Sequence, residues 1–343
     1  MLEKMKSAWR IPELRKKIIY TFGMLLIYRL LCVIPVPGIN VSAVASAVKD
    51  YSILDFMNMM TGGSFQNMSI MAMGITPYIN SSIILQLLTV AIPALEKLAN
   101  EGPEGRKKIN EYTRYLTVVL AFIQAVGLVF AMRANSYGGV WYLVIGLSMA
   151  AGSALAMWIG ERITENGIGN GISMILFAGI ISRIPSLVSA LVSSLASGAI
   201  KWYTAILLVL GMLLIVVFIV FITNSERRVP VQYAKRVVGR KMYGGQSTFL
   251  PIKVNMSGVL PIIFAQSIAT LPATIVAFTG TGSSSFWTWM NTYIFDTKSA
   301  FYIVCYFLLI IAFSYFYATI QFNPIEIANN LKKNGGFIPG FRP

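Results

Sequence analysis

Eight apolar runs, each near the length of a membrane-crossing helix, dominate this chain: 18–37, 74–95, 114–132, 140–160, 172–193, 202–223, 256–278 and 301–320. A helix needs about 20 apolar residues to cross the hydrocarbon core, where no water satisfies exposed backbone groups. Runs of this number and length predict an all-α polytopic membrane protein, and a composition of 56% hydrophobic and 12% charged residues agrees. With no histidine in 343 residues, HExxH metal sites, Ser-His-Asp triads and histidine proton relays are all excluded. No enzymatic activity, cofactor or metal is expected. Cys32 and Cys305 fall inside apolar runs and behave as small hydrophobes, so no disulfide framework is implied.

Charge sets the orientation. The chain carries a net charge of +15, and a basic membrane protein collects its excess of Lys and Arg on the cytoplasmic side. With a cytoplasmic N-terminus, 22 of the 28 Lys and Arg lie in inner segments, namely 1–17, 96–114, 161–171, 224–254 and beyond 320. Lys49, Arg133, Arg183, Lys201 and Lys298 count as outer, and Arg29 lies within the first run. This asymmetry predicts N-in and C-in. The basic start, MLEKMKSAWRIPELRKK, meets no small-residue cleavage pattern, so the first helix is expected to be retained as an anchor.

The segment 52–74 is apolar and methionine-rich, but Asp55, Asn58, Gly62, Gly63, Gln66 and Asn67 interrupt it. If it spanned, every later loop would change sides, so charge parity favours a half-inserted helix entering from outside. Non-helical backbone at membrane depth is tolerated only where protein buries it or it lines a water-filled cavity. A helix lying flat on the outer leaflet is the equal alternative.

The spans lack the ionisable groups of a coupled transporter. Asp50, Asp55 and Asp296 lie outside the runs, and Glu96, Glu161 and Glu165 lie at helix ends. Arg29 is expected to snorkel or pair with backbone carbonyls and so fix the first helix, in preference to a transport role. Neutral polar residues remain: Asn80, Ser81, Ser82 and Gln86 in the second run, Ser257, Gln266 and Ser267 in the seventh. Such groups cross-link helices or wet a pore. The loop 224–254 is far longer than a turn needs, and VPVQYAKRVV alternates enough to suggest a short strand projecting into the cytosol.

Two stretches identify a family. SIMAMGITPYINSSIILQLL at 69–88 and WIGERITENGIGNGISMIL at 158–176 resemble the two signatures of SecY proteins. YRLLCVIPVPGIN at 28–40, EGPEGRKKINEYTRY at 101–115, VQYAKRVVGRKMYGGQSTFLPIKVNMSGVLPIIF at 231–264 and FNPIEIANNLKKNGGFIPGFRP at 322–343 extend the resemblance along the chain. The resemblance implies a bacterial SecY-like inverted-repeat bundle, with eight of the ten expected transmembrane helices. Its first half, 1–200, would hold helices one to five and a plug at 52–72. An incomplete second half, 201–343, would hold helices six to eight and the cytosolic loops 224–254 and 321–343.

The same resemblance implies a protein-conducting channel in the bacterial cytoplasmic membrane. Ile79, Ile83, Ile172, Leu176 and Ile263 match its aliphatic pore ring, and Gly62 with Gly63 would hinge the plug. The second and seventh helices match the lateral gate, which draws on Gln86, Ser257, Gln266 and Ser267. Arg240, Lys241 and Arg342 match basic positions that dock the ribosome, through its rRNA, or the SecA motor. SecE, SecG, unfolded polypeptides bearing signal sequences, and anionic lipids complete the implied partners. Ordinary core packing explains aliphatics at i, i+4 as well as a ring does, and a simple turn explains the paired glycines. A small-solute transporter and an inactive fragment of the channel stand as alternatives.

Overall fold

A computed structural model describes residues 9–39, 41, 58, 61–131, 139–233, 236–238, 241–243, 247–266, 268–269, 299–322, 324–333 and 335–339. The chain divides into two compact units, Met1–Ala190 with Ser267–Ile303, and Leu191–Gln266 with Val304–Pro343.

In the first unit, α1 (Pro12–Leu31) starts on a proline, which suits a first helical position because it needs no N–H partner there. The expected span 18–37 is therefore shifted. Pro35 and Pro37 disfavour helical backbone at the residues before them, so the helix stops at Leu31. Next come α2 (Thr76–Ala91) and α3 (Pro93–Asn100), bent from one another by 107° where Ile92 precedes Pro93. The run 74–95 is thus a shorter span followed by a turned helix.

Then come α4 (Pro103–Ala131) and α5 (Gly139–Asn166). Ala121, Ala125 and Val129 of α4 are fully buried at a spacing of four, so the helix shows a single small-residue face to its neighbours. The run 172–193 is divided into α6 (Gly171–Ile181) and α7 (Ile184–Ala196), broken at Ser182 and Arg183 just ahead of Pro185.

The second unit holds α8 (Trp202–Asn224), a helical stretch at 260–266, and most of α9 (Ala300–Gln321), followed by α10 (Pro324–Lys333). Phe264 is buried and packs edge-on against Phe313 and Tyr317, with ring centroids 5.7 and 6.2 Å away. The expected short strand in 224–254 is present and forms one arm of a hairpin. β1 (Glu226–Tyr233) pairs antiparallel with β4 (Ser247–Lys253), Val231 opposite Thr248 and Gln232 opposite Ser247. β2 (Arg236–Val238) and β3 (Lys241–Tyr243) pair between them. β5 (Gly336–Phe337) joins the far edge of β1, giving the order β4-β1-β5.

Among the described residues, five helical stretches are long and apolar enough to cross a membrane: 103–130, 139–166, 171–196, 202–224 and 300–319. The bent pair α2 and α3 makes a sixth if counted as one span. The first expected span, α1, carries Arg15, Lys16, Lys17 and Arg29, and much of the seventh, 256–278, lies outside the described residues.

Candidate functional site

The most unusual part of the first unit is 61–75, which is built of turns and yet is deeply buried among the described residues. Phe65, Met68 and Met71 are wholly inaccessible and Met73 nearly so. Phe65, Met68, Ala72 and Met73 share one core cluster with Val36, Ala125, Val129, Ile145 and Met149. Met71 and Ile75 belong to a second, with Met24, Tyr28, Ile159, Ile163 and Ile175. The flat surface helix is thereby corrected, since a segment on the leaflet would leave these side chains outside. Of the half-inserted helix, Asn58 is helical and 61–72 is turn, while 52–57 and 59–60 lie outside the described residues.

Polar side chains close the turns. Thr61 Oγ1 accepts from the Phe65 N–H at 3.3 Å, and Ser64 Oγ donates to the Thr61 carbonyl at 2.8 Å. Asn58 Oδ1 accepts from the Gln66 N–H at 3.0 Å. Two further bonds tie the segment to the chain after α1, Val36 N–H to the Met68 carbonyl at 2.9 Å and Ile70 N–H to the Ile34 carbonyl at 3.0 Å. Burial of backbone away from water requires such partners. Gly152 of α5 completes the seat, because a Cβ there would overlap the Ile70 carbonyl.

Two arginines reach the segment from opposite directions. Arg29 of α1 donates both terminal nitrogens to the Gly62 carbonyl, each at 3.5 Å. This is the carbonyl pairing expected of Arg29. Arg183, counted with the outer charges although it falls inside 172–193, sits at the α6–α7 break and donates to the Asn58 carbonyl at 3.3 Å. Sequence reasoning missed its role, though a lone charge in an apolar run two residues before a proline was the available signal. A cavity of about 340 Å³ opens beside the segment, lined by Leu26, Arg29, Cys32, Gly62, Ser64 and Asn67 among others.

Of the expected ring residues, Ile79, Ile172 and Leu176 pack against the second cluster, and Ile83, one turn along α2 from Ile79, is buried. Ile83 is buried, whereas Ile79, Ile172 and Leu176 keep part of their surface exposed. Ile263 belongs to the second unit, next to the buried Phe264.

The 158–176 signature folds into a tight corner between α5 and α6. Asn170 caps α6, its Oδ1 accepting from the N–H groups of Ile172 at 3.0 Å and Ser173 at 3.2 Å. Thr164 Oγ1 accepts from the Gly171 N–H at 2.9 Å, and Thr21 Oγ1 of α1 accepts from the Ile168 N–H at 3.1 Å. The corner therefore sets where Ile172 and Leu176 begin, and Thr21 and Thr164 are supporting residues that the sequence did not single out. On the same flank, Arg114 of α4 pairs with Glu161 of α5 at 2.8 Å.

Gln86 is exposed on α2, while Ser257 and Gln266 are half-buried in the second unit. Ser267, Arg240 and Arg342 lie outside the described residues, as does the side chain of Lys241, whose backbone opens β3. Arg227, Arg228 and Lys253 are exposed on the paired strands β1 and β4, which adds them to the basic surface of the hairpin.

Spanning helices gathered about a buried, turn-built segment define a multi-pass membrane protein whose interior includes non-helical backbone, the arrangement channels and transporters need. The chain belongs to the SecY family, whose model matches residues 69–343. It is 44% identical over 363 residues to the protein translocase subunit SecY of Streptomyces coelicolor, an alignment that covers 100% of this chain and 82% of that relative. A solved structure addressing how the SecY plug domain stabilises the closed translocation channel and maintains a membrane seal matches with a TM-score of 0.65. It is 20% identical, over 96% of this chain and 78% of that one. Canine Sec61 in its ribosome-channel complex from the endoplasmic reticulum matches at 0.61 and 18%, over 96% and 79%. At those identities the structures establish the fold, and the SecY-like helical bundle expected from the sequence is the fold observed.

Proposed function

We infer that the chain is the protein-conducting channel subunit for Sec-dependent secretion and membrane-protein insertion. The observation that carries this is 61–75: a turn-built segment, largely buried against helices, in a chain that matches a translocase subunit over all of its residues. Backbone of that kind inside a bilayer makes sense in a protein with a central conduit to close.

In this reading 52–72 is the plug, hinged at Gly62 and Gly63. Ile79, Ile83, Ile172, Leu176 and Ile263 form an aliphatic constriction that offers water and ions no hydrogen bonds and deforms around a threading chain. Gln86, Ser257, Gln266 and Ser267 give the lateral gate weak polar contacts that an apolar signal sequence can outcompete. The protein performs no reaction itself. It sits in the bacterial inner membrane with its N-terminus in the cytoplasm, and works with SecE, SecG and anionic lipids. Arg240, Lys241 and Arg342 meet the SecA motor or rRNA phosphates, groups that a guanidinium fork suits.

The test is conductance and export in vesicles containing the chain with its partner subunits. Ile83→Gly and Ile263→Gly should each raise ion leakage or relax signal-sequence selection several-fold, since removing an aliphatic lets water wet the waist. Unchanged conductance and selectivity in both would remove the ring.

A further inference from the structure

We propose that Arg29 and Arg183 form a two-point latch that holds Asn58 and 61–63 in their seated position. The two arms come from different elements, α1 and the α6–α7 break, and grip carbonyls four residues apart, Gly62 and Asn58. Both act on backbone rather than on side chains. The Asn58 carbonyl also accepts from the Gly63 N–H at 2.9 Å and from Thr61 Oγ1 at 3.3 Å, so the Arg183 arm holds a turn that is already closed.

Gly62 is fitted to the Arg29 arm in two ways. Its φ of 65° lies in the left-handed region, which a side chain disfavours. A Cβ there would stand 2.5 Å from Arg29 Nη1, 2.8 Å from Ser182 Oγ and 2.9 Å from the Gly179 carbonyl. Backbone thus passes between α1 and α6 at a distance only glycine permits, which is what brings its carbonyl to the guanidinium.

Charges within spanning segments are expensive and persist where they do a job. Unseating Asn58 and Gly62 takes the acceptor from each guanidinium, so the seated state is favoured while both arms are intact. The contacts are long, at 3.3 to 3.5 Å, so each arm is weak and the pair releases readily. A closure that opens for every substrate needs that balance. The latch gains its function from the plug reading above, although its geometry stands without it.

The chain holds its own reporter. Cys32 lines the cavity next to Gly62 and Ser64 and is 5% exposed, so lifting the segment uncovers its thiol. In a Cys305→Ser background in membrane vesicles, N-ethylmaleimide should modify Cys32 about tenfold faster in Arg29→Gln and Arg183→Gln, the loss expected for one charge-assisted hydrogen bond each. Ion leakage should rise with it. Arg29→Lys, which keeps the charge but loses the fork, should fall between, and Gly62→Ala should release the segment with both arginines in place. These last two carry the test if a glutamine variant does not accumulate. Arg162→Gln, which removes an exposed pair with Glu165 and a cation over the Trp158 ring, both away from Asn58 and 61–63, should change neither signal. Unchanged Cys32 modification in the arginine and Gly62 variants would overturn the latch. Faster modification without added leakage would leave the latch standing and remove the plug reading instead.

Discussion

Asn170 controls more than its own turn. Its side chain satisfies two N–H groups that open α6, and that helix carries Ile172 and Leu176 into the buried cluster beside Ile79. Asn170→Ala should cost about 1 kcal/mol, as loss of an N-cap usually does, and lower the thermal midpoint of the purified protein in detergent, whereas Asn170→Asp should restore it. This cap was not singled out from the sequence, although ENGIGNG places a capping residue among glycines directly before an apolar run. Other residues were not legible. Nothing local to Gly152 says that the Ile70 carbonyl will press on it, and nothing local to Thr21 names Ile168, 147 positions away, as its partner. Such roles arise only when distant backbones meet. Gly152→Leu is accordingly expected to push 70–75 from its seat and destabilise the first unit by about 2 kcal/mol or more, measured by the same unfolding experiment.

Elements were legible where a long apolar run governs them. The runs miss the helix starts at Pro12, Pro93 and Pro103 and the bend at Ile92, although a proline accounts for each. The break at Ser182 and Arg183 was missed because 172–193 is apolar enough to read as one helix, and hydropathy averages over a single kink. Likewise, alternation in VPVQYAKRVV signals a strand but not its partner, since β4 begins 14 residues after β1 ends and contributes STFLPIK, a weaker pattern. Replacing 234–246 by Asn-Gly should keep the Gln232–Ser247 pairing across a three-residue loop, Tyr233-Asn-Gly, whose glycine can take the left-handed position, and leave membrane insertion intact. Affinity for SecA or for ribosomes, measured by vesicle flotation, should drop at least tenfold, about 1.4 kcal/mol, if the hairpin tip is the docking element.

For the molecule as a whole, composition and charge distribution carried most of the information. The apolar runs announced a membrane protein, and two long signatures announced the family, because they encode the buried segment with α2 and the corner between α5 and α6. What the runs did not encode is that the stretch 61–75 is buried while wound into turns. Its glycines and amides said only that it would not span. Topology mapping should find the N-terminus and 224–254 on the same, cytoplasmic face. An external label reaching either in sealed cells would contradict the charge asymmetry. Arg342→Glu should impair export while leaving insertion unchanged, which separates a contact with a cytosolic partner from a folding defect.

One consequence follows from the small sheet β4-β1-β5. Its three strands are continuous with different parts of the second unit: β1 leaves α8, β4 leads into 260–266, and β5 follows α9 through α10. A motor that grasps the hairpin therefore takes hold of a single handle on which three membrane-embedded stretches are strung, and a tug there is distributed among them rather than spent on one loop.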